Sequence, residues 1–287
     1  MRVIERVFDI KSRHDTMTVI PLGDIHIGAK ACDETRFKET VARIAGDENC
    51  YWIGMGDYCD FIQMSDPRFS SGGLAKWLIN GDALADLTRA QRDRFLNIIK
   101  PIAKQCLGLL EGNHETAITR HYERHIYGEI VTAIKEFAGV KESDPMGLGY
   151  NGWLNLKFRR HSGKGKPSGN EIKINLHHGY GGGRLAGAKA LNLERRMAFY
   201  EADIVIFGHV HKPMIIPGAR QRLTGKKVED RKILGIISGT YLKSFSNDSP
   251  ATYSEVAGYL PSYGGNVEIT LQPHHLDFNQ RFRAAIY

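Results

Sequence analysis

Cysteine is scarce in this chain: the four among 287 residues (Cys32, Cys50, Cys59 and Cys106) are scattered, with no CxxC pair. That excludes a thiolate zinc site of ordinary spacing and a disulfide framework, and reduced thiols fit a cytoplasmic protein. Long apolar runs are absent too, so no membrane span is expected. The opening MRVIERVFDI interleaves charged and apolar residues, unlike the unbroken apolar centre of a signal peptide. No internal repeat is visible. Aromatic residues are sparse in the two most basic stretches, 159–169 (RRHSGKGKPSG) and 219–232 (ARQRLTGKKVEDRK), which therefore read as hairpin loops rather than a platform for stacking bases.

What is present suits a folded α/β protein. A hydrophobic fraction of 42% supplies an ample core for a single domain spanning residues 1–287. Lys and Arg outnumber Asp and Glu by 39 to 32, for a net charge of +7, which favours polyanionic partners and makes DNA or RNA a candidate. Oligomeric state has no signature.

Short apolar runs ending in Gly-rich turns alternate with helix-period segments, as in βαβ units. Strands are expected in 16–24, 51–57, 105–113, 171–179 and 202–209. Phe37, Val41 and Ile44 mark a helix that Asp33 could cap; Leu84, Leu87, Phe95, Ile98 and Ile102 mark a second, ending around Pro101. Ile118, Tyr122, Ile126, Ile130 and Phe137 mark one long third helix, and another runs from about Leu185 to Tyr200. Residues 61–81 form an irregular insertion. After Met214 the pattern turns strand-rich, with 232–242 and 266–273 clearest, which predicts added antiparallel sheet over 214–287.

The strand candidates end in metal-binding residue types: Asp24-Ile25-His26, Gly56-Asp57, Gly112-Asn113-His114-Glu115, His177-His178-Gly179 and Gly208-His209-Val210-His211. Parallel α/β sheets gather ligands outside the carboxyl ends of their strands, so five weak clusters would converge on one edge. For His209 and His211 to share a face, the backbone must stay extended beyond Phe207. Oxygen and nitrogen donors without cysteine suit manganese, zinc, iron or a similar ion. Seven donors fill two coordination shells only if one carboxylate bridges, and two cations about 3.5–4 Å apart can share a hydroxide for in-line attack on phosphorus.

The ordered set DxH, GDxxD, GNHE, HHG and GHxH, spread over residues 17–213, resembles the calcineurin-like metallophosphoesterase family. The resemblance implies a four-layer α/β/β/α sandwich with the dinuclear metal site at the carboxyl ends of its strands. It implies that Asp24, His26 and His211 hold one divalent metal ion, that Asn113, His209 and one histidine of the 177–178 pair hold a second, and that Asp57 bridges. His178 directly precedes the glycine turn and is chosen, with His177 a rival. His114 is expected to be catalytic, as proton donor to the leaving oxygen or as a charge stabiliser. Asp60 fills the second acidic position of GDxxD and is expected to support rather than bind. Arg184, in GYGGGRLAGAK, could bind substrate phosphate beside the next helix; a turn needing positive φ is the alternative.

The function implied is hydrolysis of a phosphoester by a two-metal-activated hydroxide. Paired histidines in GHVH and the basic balance favour a phosphodiester or nucleic-acid substrate; a phosphomonoesterase and a noncatalytic metal-containing binding module are the alternatives.

Overall fold

Alternating burial along the strands and one-sided burial along the helices sort the chain into four layers in the computed structural model, which describes residues 1–64, 66, 69–79, 81–160, 168–181, 185–245, 255, 258, 260–261 and 264–287. One six-stranded sheet contains β1 (Arg2–Ile10), β6 (Asn151–Arg160), β7 (Ser168–His177), β8 (Ile204–Phe207), β9 (Met214–Thr224) and β10 (Lys227–Ile237), in the order β1-β6-β7-β8-β10-β9. The other contains β2 (Met17–Leu22), β3 (Cys50–Gly54), β4 (Cys106–Leu110), β5 (Gly147–Gly149), β11 (Val267–Leu271) and β12 (Phe282–Ile286), in the order β12-β11-β2-β3-β4-β5. Both sheets are mixed. β2, β3, β4 and β5 run parallel, as do β7, β8 and β10.

The two sheets face each other across a core that includes Val19, Ile53, Leu110, Leu156, Ile174, Ile206, Ile236 and Ile269. Helices α1 (Glu34–Ala45), α3 (Leu87–Ile99) and α5 (Ile126–Ala138) cover the outer face of the second sheet through Phe37, Ile44, Phe95, Ile99, Ile130 and Ile134. Helix α6 (Ala186–Phe199) covers the first sheet through Leu193 and Met197. This is the expected α/β/β/α sandwich. Asp33 caps α1, accepting the Arg36 N–H at 3.2 Å.

Three expectations change in detail. The single long helix of 118–137 is two helices, α4 (Asn113–Tyr122) and α5, separated where Glu123 takes a left-handed φ of 53°. A near-four-residue repeat persists across the break because both halves bury their apolar faces on the same sheet. The strand-rich tail is not a separate addition: β10 pairs parallel with β8 while β11 pairs antiparallel with β2, so it completes both sheets. β1 and β6 also pair, parallel and in register from Arg2↔Gly152 to Ile10↔Arg160. Within the insertion, α2 (Lys76–Ile79) buries Leu78 beside Leu74 and Leu87. The Lys30 N–H donates to Gly73 O and the Ala75 N–H to Gly28 O, which stitches this segment to the loop leaving β2. Arg94 lies 4.5 Å from the Trp77 ring, so Trp77 anchors the insertion.

Burial raises all four thiols, Cys50 to about 11, Cys32 and Cys106 to about 12, and Cys59 well above its ordinary value. The native protein is therefore expected to react negligibly with a thiol reagent over minutes at pH 8 and to titrate four thiols after guanidinium unfolding. Rapid native labelling at Cys59 would contradict the core packing.

Candidate metal centre

Each strand that leads to the site stops where the backbone must turn sharply. Asp24, His26, Asp57, His209 and His211 all have left-handed φ, between 49° and 67°. This conformation is costly for residues other than glycine, and it persists where the surroundings hold it in place. The extended backbone expected for His209 and His211 is thus corrected: β8 ends at Phe207, and two left-handed turns, not strand alternation, bring both imidazoles inward.

The glycines beside these donors permit the close approach. A Cβ on Gly56 would lie 2.6 Å from Gly112 N and 2.7 Å from His178 Nδ1, and a Cβ on Gly112 would lie 2.2 Å from Asp57 N. The loops after β3 and β4 therefore touch backbone to backbone. Glu115 locks that contact. Its Oε2 accepts the N–H groups of Gly112 and Asp57, and its Oε1 accepts that of Tyr58, each at 2.9 Å. Burial and the neighbouring Asp57 charge push the Glu115 carboxyl up to about 7, against the pull of these donors. Its position three residues after the Gly112 N-cap is a capping-box signature, the one sequence signal for a role not foreseen above.

Two groups of donors gather the expected ligands, beside a third made of His26, Asp60 and His114. In the first, the ligating atoms of Asp24, His26 and His211 lie within 4.8 Å of one another; in the second, those of Asp57, His178 and His209 do. Asp57 Oδ2 is 3.9 Å from His26 Nε2 and 3.4 Å from His178 Nε2, so this carboxylate stands between the groups. Asn113 Oδ1 is 3.0 Å from His178 Nε2. His26 Nε2 and His211 Nε2 approach to 3.3 Å, and His211 Nε2 is 3.2 Å from Asp24 Oδ1.

The residue chemistry fits divalent cations. The buried His209 Nδ1 has no hydrogen-bond partner among the described residues, and Asp24 Oδ1 and His26 Nδ1 each meet one ionisable neighbour, His211 Nε2 at 3.2 Å and Asp60 Oδ1 at 3.3 Å; a buried polar atom left unpaired is rare in folded proteins unless an ion or water satisfies it. His178 Nδ1 is 2.7 Å from Met55 O, so that nitrogen carries the proton and Nε2 points its lone pair at the oxygens of Asp57 and Asn113. Acceptors facing one another need a positive charge between them. Burial alone would lower the His178 imidazole, yet the Asp57 carboxylate raises it to about 10, so a proton meets that need wherever a cation does not. Burial alone would likewise raise Asp57 and Asp24, but His178 holds the first well below its ordinary value and His211 holds the second below. Burial lowers His26 and His209, favouring the neutral imidazole a metal requires.

His177 lies elsewhere: its ring stacks on Phe207 at 5.7 Å and its Nδ1 accepts the Gly179 N–H. Burial, then Arg196, lowers it to about 3. Changing His178 to alanine is therefore expected to reduce bound metal by one equivalent, whereas His177→Ala should retain the full complement, read by metal analysis of the purified proteins. The reverse pattern would transfer the role to His177.

His114 is buried; its Nδ1 contacts the carbonyl of Asp60, and its ring meets that of His26 edge-on with centroids 4.6 Å apart. Asp60 Oδ1 is 3.3 Å from His26 Nδ1, so Asp60 positions both histidines, one through its carboxylate and one through its backbone. Arg184 lies outside the described residues. Among the described residues no helix is long and apolar enough to cross a membrane.

The family model for calcineurin-like phosphoesterases matches residues 17–213. The chain is also similar to several solved structures. One is a predicted phosphoesterase from Streptococcus pneumoniae TIGR4 (12% identity, 95% of this chain and 99% of that one, TM-score 0.31). Another is Vps29 complexed with zinc from Entamoeba histolytica (12%, 94% and 98%, 0.35). A third is a metallophosphoesterase from Sphaerobacter thermophilus (13%, 94% and 88%, 0.34). No curated protein sequence matches the chain.

Proposed function

Because the chain belongs to the calcineurin-like phosphoesterase family, whose members hydrolyse phosphoesters with divalent metals, we propose that it is a two-metal phosphodiesterase whose substrate is a phosphodiester or a nucleic acid. The observation that carries this reading is the place of Asp57: one buried carboxylate oxygen within 4 Å of a nitrogen from each donor group, as a bridge requires. Asp24, His26 and His211 would hold one cation and Asn113, His178 and His209 the other. Cations in those positions would polarise the phosphoryl oxygens and lower the pKa of an attacking water.

The protein's own residues do the remainder. Glu115 and the backbone contact at Gly56 and Gly112 set the bridging loop before substrate arrives, so little reorganisation accompanies reaction. A carbonyl only accepts hydrogen bonds, so the contact with Asp60 puts a proton on His114 Nδ1. Nε2 is then the nitrogen left to face the leaving oxygen, to which it donates when the ring carries a second proton as imidazolium. Arg184 adds a candidate phosphate contact. The whole chain acts as one domain, since β10, β11 and β12 complete both sheets.

Purified protein supplied with Mn²⁺ should hydrolyse a bis-aryl phosphate, lose that activity to a chelator and regain it on readdition of metal. Its kcat/KM for the diester should exceed that for the mono-aryl phosphate by at least about tenfold, or about 1.4 kcal/mol of transition-state binding. The reverse preference would make it a phosphomonoesterase. Hydrolysis of neither ester, by protein shown to hold metal, would leave a noncatalytic binding module.

A further inference from the structure

β8 is four residues long, whereas its neighbours β7 and β10 are ten and eleven. Pairing across β8 begins only at Ile174↔Ile204 and Leu234↔Ile204, so the sheet has a notch where residues 168–173 and 227–233 run on without a strand between them. The notch opens a cleft of about 1140 Å³ at the end of β7 remote from His177 and His178. It unites the two basic stretches of the sequence: the flanks of 159–169 on β6 and β7, and 219–232 on β9 and β10.

The charge in this cleft is unbalanced. Eight Lys and Arg side chains line it against four carboxylates. Lys157 pairs with Glu5, Lys173 with Glu171, and Arg159 with Asp9. Arg220, Arg222, Arg231, Lys232 and Arg281 remain, and among the described residues none of the five forms an ion pair. Arg220 and Arg231 are directly opposite in the β9–β10 ladder, where like charges destabilise pairing. Arg220 is partly accommodated by the carbonyls of Met197 and Tyr200. Arg231 and Arg281 both lie against the Phe278 ring, at 4.8 and 5.4 Å from its centroid, and burial, then the Arg231 charge, lowers the Arg281 guanidinium. Arg281 donates from Nε to His275 O and from Nη1 to Asn170 Oδ1, which leaves its Nη2 for phosphate, whereas packing on the ring keeps the planar N–H fork of Arg231 available.

We propose that this notch is a second, metal-independent binding site for the sugar–phosphate backbone of a nucleic acid. Four guanidinium groups, beside a Lys232 ammonium that also donates to Phe282 O at 2.9 Å, exceed what a single small anion can engage. Arg220 and Arg222, two residues apart on a strand, have Cα atoms about 7 Å apart and share one face, a spacing suited to successive phosphates. The site stands on its own geometry and goes beyond the reaction at the metal centre, for which it would hold a long substrate at a distance.

The test uses the full chain in EDTA, with a fluorescein-labelled single-stranded 20-mer followed by anisotropy at 50 and 200 mM salt. The double variant Arg231→Gln/Arg281→Gln should raise Kd at least about tenfold and lower the log–log salt slope by about 1.4, as expected for two lost single-strand phosphate contacts. Arg222→Gln, at an exposed position outside the core, should weaken binding about threefold or more without altering Tm. Bis-aryl phosphate hydrolysis with Mn²⁺ should be unchanged in both variants. Absence of oligonucleotide binding by the unmodified chain, unaltered affinity in both variants, or equal competition by polyglutamate would each overturn the proposal. Failure to cleave the aryl diester with the binding losses intact would reject the phosphodiesterase reading and leave this site standing.

Discussion

Asp57→Asn should retain the fold and lose at least about a thousandfold in kcat/KM for a bis-aryl phosphate, a loss of about 4 kcal/mol of transition-state stabilisation. The carboxylate is almost fully buried between the two histidine groups, with His26 Nε2 and His178 Nε2 at 3.9 and 3.4 Å from the same oxygen. Its other oxygen accepts the His114 N–H at 2.9 Å. Asparagine keeps an acceptor for that N–H but removes the charge that, in the proposed two-metal site, would let one side chain serve two cations, so charge is separated from scaffold. Bound metal should fall from two equivalents to one or fewer. Asp57→Ala should lose as much activity and also stability, because the buried His114 N–H loses its partner at a cost of about 1–3 kcal/mol. An Asp57→Asn protein with two bound metals and near-normal turnover would remove the bridging role.

The second large effect is expected at His114. With alanine there, kcat should fall about 10²- to 10⁴-fold, the range for loss of a positioned proton donor. Metal content should stay unchanged, because Asp24, Asp57, Asn113 and the other four imidazole donors remain. The loss should depend on the leaving group, small for an aryl oxide that departs without a proton and full for an alkyl or nucleoside ester. The limb of the pH–rate profile that reports a required acid should vanish with it. Since the His114 ring also packs edge-on against His26, metal analysis decides between lost acid catalysis and a loosened ligand. Equal losses for both leaving groups with metal intact would mark His114 as a charge stabiliser instead.

Much of this architecture was legible because strand ends announce themselves: an apolar run, a glycine, then Asp, Asn or His. The convergence of Asp24, His26, Asp57, Asn113, His209 and His211 follows from parallel strands delivering their carboxyl ends to one edge. Glu115 was harder to see, since its partners Asp57 and Tyr58 lie 58 and 57 residues away and only the packing of two loops brings their N–H groups to one carboxylate. The break between α4 and α5 escaped for the opposite reason: burial on a common sheet preserved the repeat through a residue that had left the helix.

Residue order alone determined which donors are available, in what sequence along the strands, and that a carboxylate must be shared if two cations are to be filled. Tertiary structure decided that His178 and not His177 faces the donors, that left-handed turns rather than extended backbone aim His209 and His211, and that two separate basic stretches border one cleft. Composition and periodicity report each residue's own conformational preference and burial. Left-handed backbone and the choice of partner are imposed by contacts between segments far apart in the chain, which only the folded molecule contains.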